Sequence, residues 1–314
     1  MLTVVQREIR KGQNTMKRFH FSCAVLVAAL IGATVANASD WFENFENAKA
    51  KAAKEGKDLL LDFTGSDWCG PCIALKSEVF DSKVFEKEGS KHFIMVELDF
   101  PKLKELPESL KKQNEKLREY YRVNSFPTVV LTDAKGRPYA KTGFLPGGPE
   151  EYLKNLAELR KQREKRDEMF AAAEKLKGVE KAAALDRVLD MLADFDLADL
   201  YTDVSKEIVE LDPANAGGLK VKANSRMKML EMRRLAAEGD LDGALKVVDE
   251  HLKKDKPTGE LLLNVYFMKA QVQNGKGDAA GVLDSLEKAH KAAPDSEEGK
   301  RIAGIIQQLK EKKK

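Results

Sequence analysis

Two cysteines three positions apart, placed shortly after an apolar strand, restrict this chain more than any other feature. Leu59-Leu60-Leu61-Asp62-Phe63 is a short run without alternation, the pattern of a strand buried on both faces of a sheet. Trp68-Cys69-Gly70-Pro71-Cys72 follows and opens a helix through Ile73, Leu75, Val79 and Phe80. A first cysteine at such a junction has backbone N–H groups and the helix dipole to stabilise its thiolate, so Cys69 is the expected attacking thiol. Cys72, one turn further on, is placed to resolve the mixed disulfide that results. Pro71 fits the first turn, where a missing N–H costs little, and the Gly70-Pro71 pair tunes how readily the disulfide forms.

Three other uses of a Cys-x-x-Cys fit less well. A structural zinc site needs two further ligands, and downstream of the pair stand only His92, His251 and His290, widely scattered, with no other cysteine. Covalent haem attachment calls for His directly after the second cysteine, where Ile73 stands. A purely structural disulfide across two residues closes a loop too small to stabilise much. The reading therefore assigns the chain neither a metal nor a cofactor.

The N-terminus has the features of an export signal. Lys17 and Arg18 precede the mostly apolar run Phe19 to Val35, and Ala36-Asn37-Ala38 matches a small-x-small cleavage site before Ser39. Residues 1–38 are thus expected to be a cleaved leader, with Met16 as the start of translation, and Cys23 leaves with it. The uninterrupted apolar run from Cys23 to Ala33 is short for a membrane span. The two remaining thiols then make no disulfide framework and are there to react. The formal charge of +3 reflects that leader, which carries five Lys or Arg against Glu8 alone. The remainder is nearly neutral and carries no nucleic-acid footprint.

With 314 residues the chain has room for about two domains. Asp40 is expected to cap a helix bearing Trp41, Phe42, Phe45, Ala48 and Ala52 and ending at Gly56. Strands at 59–63, 93–98, 128–132 and 137–142, with helices at 73–80, 107–121 and from 150, give a βαβ unit, a hairpin turning at Asp133 to Gly136, and a closing helix. This predicts an α/β domain over 39–159 with a mixed sheet covered by helices. Strand signals then vanish, and 160–314 reads as an all-α domain. Its segment 161–177 is a continuous charged helix, and further helices run over 183–200, 201–211, 216–239, 241–253, 260–274, 279–292 and 297–313. Gly239-Asp240-Leu241-Asp242-Gly243-Ala244-Leu245 echoes Gly277-Asp278-Ala279-Ala280-Gly281-Val282-Leu283, so tetratricopeptide-like pairs and an ordinary bundle stand as equal readings.

The segment Phe63-Thr64-Gly65-Ser66-Asp67-Trp68-Cys69-Gly70-Pro71-Cys72 resembles the active-site stretch of the thioredoxin family, and especially that of exported thioredoxin-like proteins. Val123-Asn124-Ser125-Phe126-Pro127-Thr128 resembles the family's second landmark, and Gly143 its glycine beyond the hairpin. The likeness covers roughly residues 40–158. It implies a thioredoxin-like fold, a redox-active Cys69–Cys72 disulfide, and a cis peptide before Pro127 that frees the backbone of Phe126 to pair with substrate. Trp68 is implied to shape the contact, and Asp62 to act as general base for Cys72, against the alternative of a solvated carboxylate at a strand end.

The departures are equally specific. One extra residue separates Asp62 from Cys69, Glu97 stands where the family keeps a lysine, and Ile73 replaces the lysine after the second cysteine. The resemblance implies a reductase acting on disulfide-containing exported proteins and recharged by an electron donor in the membrane. An oxidase or isomerase, and a scaffold whose helical domain binds a protein partner, stand as alternatives.

Overall fold

The computed structural model describes residues 41–311. The leader, its cleavage site, the start at Met16, Cys23 and Asp40 lie outside the described residues.

Trp41–Phe42 (β1) pairs parallel with Phe93–Asp99 (β3), which pairs parallel with Asp58–Thr64 (β2). Thr128–Thr132 (β4) lies antiparallel on the other side of β2, and Pro138–Thr142 (β5) closes the mixed sheet in the order β1-β3-β2-β4-β5. The expected first helix is corrected here. Trp41 and Phe42 belong to the sheet, because their backbones pair with Met95 and Val96. The helix α1 is Phe45–Glu55, capped by Asn44, whose side chain accepts from the N–H of Asn47 at 2.9 Å.

Every residue of β2 is buried, as its unalternating sequence requires of a central strand. Its odd positions Leu59, Leu61 and Phe63 pack with Ile94, Val96 and Leu98 under α1 and α4 (Glu108–Tyr120). Leu60 faces the other way, into Leu75, Val79, Phe80, Phe85, Tyr152 and Leu156. That second layer is formed by α2 (Gly70–Leu75), which widens into a π turn over Lys76–Phe80, by α3 (Lys83–Gly89), and by the first turns of α5 (Gly148–Ala173). Asp62, two residues after Leu60, therefore points into the layer that carries the cysteines.

The long helix α5 runs unbroken through residues 159–160 and ends at Ala173, short of Lys177. Seven more helices follow: α6 (Gly178–Ala193), α7 (Thr202–Leu211), α8 (Leu219–Ala237), α9 (Leu241–Lys254), α10 (Gly259–Gly275), α11 (Ala279–Ala292) and α12 (Glu297–Glu311). The segment expected as a single helix over 183–200 breaks after Ala193, and a short 3-10 turn occupies Ala198–Leu200. The two Gly-Asp echoes form the same joint. Asp240 and Asp278 each accept from the N–H of the glycine three residues on, Gly243 and Gly281, both at 2.8 Å. A Cβ on either glycine would stand about 2 Å from that carboxylate, so a larger residue there would displace the capping side chain. The α8–α9 and α10–α11 hairpins are thus built on one plan.

The helical region is fastened to one end of the sheet. Arg163 pairs with Asp58 at the start of β2, and Arg166, 4% exposed, reaches Asp133 in the β4–β5 turn at 3.0 Å and Tyr201 Oη at 3.0 Å. Arg122 after α4 pairs with Asp199 at 2.8 Å. Because Leu59 lies opposite Thr132 and Phe63 opposite Thr128, Asp58 and Asp133 share the pole away from Cys69. The helical region is anchored there through Arg163 and Arg166 of α5 and through the turn at Asp199 to Tyr201.

Candidate active site

Cys69 takes the N-cap position of α2, and the N–H groups of Cys72 and Ile73 both bond to its carbonyl at 3.0 Å. The two sulfurs are joined in a disulfide, with S–S 2.12 Å. Both residues are buried, Cys69 at 6% and Cys72 at 2% exposure. Gly70 and Pro71 form the first turn of the helix. Cys72 and Leu75, three apart on α2, face the sheet on the side that holds Asp62.

The extra residue before Cys69 goes into a folded loop. Ser66 donates from N and Oγ to the carboxylate of Asp99 at 3.0 and 2.7 Å. Asp67 accepts the N–H groups of Lys102, Leu103 and Lys104 at 2.9, 2.7 and 3.2 Å, which hold its carboxyl below the usual range. A side chain at Gly65 would collide with the Trp68 indole at 2.6 Å, so glycine is required for this turn. Trp68 is 40% exposed and donates Nε1–H to the carbonyl of Phe100 at 2.8 Å. It meets Phe126 edge-on at 6.0 Å, and Phe126 stacks on Phe100 at 5.0 Å. The Phe126–Pro127 peptide is cis, and Gly143 lies against the Pro127 carbonyl, which a Cβ there would approach to 3.0 Å. Trp68 and Phe126 thus meet directly beside the disulfide.

Asp62 is 5% exposed, and its Oδ1 has no hydrogen-bond partner. Burial first, and then the charge of Glu97 in register on β3, push its carboxyl up to about 8. It is a buried carboxylate, and the solvated strand-end alternative does not describe it. Lys76 opposes the shift. Its Nζ lies 3.2 Å from Glu97 Oε2 and 3.7 Å from Asp81 Oδ1. Reading by position noted a carboxylate on β3 and missed the cation, because the lysine now comes from the helix. Its signal was the spacing of four from Cys72, which places Lys76 one turn further along the same face.

This triangle makes a signed prediction. Glu97→Gln removes a like charge and lowers the titration of Asp62. Lys76→Met removes the opposite charge and raises it, each by roughly half a unit or more. Carboxyl carbon NMR against pH reads both, and shifts of the same sign would contradict the arrangement.

Comparison with known proteins agrees with this geometry. A family model described as a thioredoxin-like domain matches residues 45–160. Disulfide bond reductase DsbH of Chlamydia pneumoniae is 35% identical over 122 residues, 39% of this chain and 74% of that protein. Thioredoxin-related protein DsbJ of the same organism is 30% identical over 103 residues, 33% of this chain and 30% of its own length. A solved DsbH oxidoreductase is 34% identical, covering 41% of this chain and 90% of the other, with a TM-score of 0.38. With its Cys-x-x-Cys at the mouth of a mixed sheet and 35% identity to DsbH over 74% of that protein, the chain belongs to the thioredoxin-like family of thiol–disulfide oxidoreductases.

Proposed function

We propose that this chain is an exported protein-disulfide reductase. The observation that carries the reading is the dithiol itself: Cys69 at the start of α2, Cys72 turned toward a buried carboxylate, and no other cysteine from residue 39 onward. The Gly70-Pro71 pair and the likeness to a disulfide bond reductase support the reducing direction. The leader-like residues 1–38 support export, to the periplasm or another extracytoplasmic space. Among the described residues no helix is long and apolar enough to cross a membrane. In this division 39–159 is the catalytic unit and 160–314 the helical domain.

In the reduced protein the Cys69 thiolate attacks a substrate disulfide, forming a mixed disulfide and expelling one substrate thiolate, which takes up a proton. The ionised form of Asp62, whose carboxyl titrates at about 8, accepts the proton of Cys72; the Cys72 sulfur then attacks Cys69 Sγ, and the second substrate sulfur leaves as a thiolate and takes the proton back from Asp62. Two electrons pass to the substrate, and the Cys69–Cys72 disulfide remains. Trp68, Gly70, Pro71, Phe126 and Pro127 form the wall against which an extended substrate segment lies. An oxidising compartment calls for a reductant to restore the dithiol, and an electron donor in the membrane fits that need. The substrates in this reading are disulfide-bearing exported proteins.

Direction is tested by equilibrating the pair against glutathione and quantifying thiols. The expected potential is near about −270 mV, whereas a value near about −120 mV would mark an oxidant.

A further inference from the structure

Six large apolar side chains among the described residues are more than a third exposed, and three of them belong to the cysteine segment or to the loop bonded to it: Trp68 at 40%, Ile73 at 47% and Leu103 at 84%. Trp68 and Ile73 flank the motif in sequence. Leu103 comes from the loop after β3, far along the chain, and it is the most exposed of the six.

That loop is held in place. The Asp67 carboxylate, two residues before Cys69, accepts three successive N–H groups from Lys102, Leu103 and Lys104. On either side of Leu103 the loop is tied again: Lys102 Nζ lies 3.9 Å over the Trp68 ring, and Lys104 Nζ lies 2.7 Å from Asp99 Oδ2. Both neighbours turn inward to partners while the leucine points to water. A leucine so exposed leaves apolar surface hydrated, which favours any contact that covers it. The helices α6–α12 leave it exposed.

We propose that Leu103 is a specificity contact for protein substrates, covered by an apolar side chain of the extended segment that carries the disulfide under attack. This rests on the reductase reading above and extends it. The surface is continuous with the Trp68–Phe126 wall through the Phe100 carbonyl, which accepts from Trp68 Nε1. A substrate with an apolar residue near its cystine gains the contact, and a small disulfide too short to reach the loop does not.

The test uses the pre-reduced full chain, freed of reductant, mixed with insulin as protein disulfide and with 5,5′-dithiobis(2-nitrobenzoic acid) as small disulfide. The quantity read is the ratio of the two second-order rate constants. Leu103→Ser is expected to lower the insulin-to-small-disulfide ratio about fivefold, since one exposed leucine contact is lost. Asp67→Ala, which frees the loop, is expected to lower it as well. Val179→Ser, at an exposed valine on α6, serves as the control and leaves the ratio unchanged. A Leu103→Ser ratio within twofold of wild type would overturn the proposal. If wild-type protein transfers electrons to neither compound, it is the reductase reading that fails.

Discussion

Asp62→Asn is expected to stabilise the folded, oxidised protein by about 5 kcal/mol at pH 9 and by almost nothing at pH 4. Burial holds the Asp62 carboxyl up to about 8, while in the unfolded chain it ionises near its ordinary value of 3.8. Between about pH 4 and 8 the folded state therefore keeps a proton that the unfolded state has released. Stability falls as pH rises through that window and levels off above it. Asparagine carries no such proton, so the gap between the two proteins opens over the same window. Denaturant unfolding at pH 4, 6 and 9 measures it, and a gap independent of pH would contradict a buried, protonated Asp62. In the proposed mechanism the ionised form of Asp62 is the base for Cys72, so the same substitution is expected to slow release of substrate from the mixed disulfide by about a hundredfold at pH 8.

Cys69→Ser is expected to reduce turnover of insulin disulfides by at least about a thousandfold. Cys72 remains in that variant, yet it is nearly buried on the inner face of α2 and lacks the N-cap position. A serine hydroxyl at the N-cap is protonated at neutral pH and cannot replace the thiolate. Turnover is read as insulin precipitation in dithiothreitol. Residual activity within tenfold of wild type would move the nucleophile elsewhere.

The sheet was legible because its central strand had no polar face to show. The run Leu59 to Phe63 lacks alternation, and β2 is buried on both sides. The cysteine helix, the β4–β5 hairpin and the Gly-Asp joints were legible for similar local reasons, a cap or a turn residue at a fixed offset. Trp41 and Phe42 misled, because their spacing to Phe45 satisfies a helix, and the pairing that places them in a strand comes from β3, more than fifty residues away. The break after Ala193 was hidden because Leu192 and Phe195, and then Leu197 and Leu200, keep a three-residue helical spacing through it.

At the site, the sulfurs and the buried carboxylate were marked by type and order along the chain. What surrounds them was not. Lys76 sits on a helix across from Glu97, and no local pattern says that the two meet at 3.2 Å. The three hydrogen bonds that Lys102, Leu103 and Lys104 donate from their backbone N–H groups to Asp67 join segments about thirty-five residues apart. The pole at which the helical region is fastened was equally invisible. Arg163, Arg166 and Arg122 look like ordinary surface charges until Asp58, Asp133 and Asp199 are placed opposite them.

The central claim, that Cys69 takes a substrate disulfide and Cys72 resolves it, is tested most directly with the Cys72→Ser protein. Reduced, mixed with insulin, quenched with acid and digested, it is predicted to yield one disulfide-linked peptide joining Cys69 to an insulin cysteine, while the wild type under the same conditions shows the Cys69–Cys72 disulfide and two new insulin thiols per molecule. An unmodified Cys69, or a wild type that keeps both thiols reduced, would contradict the account.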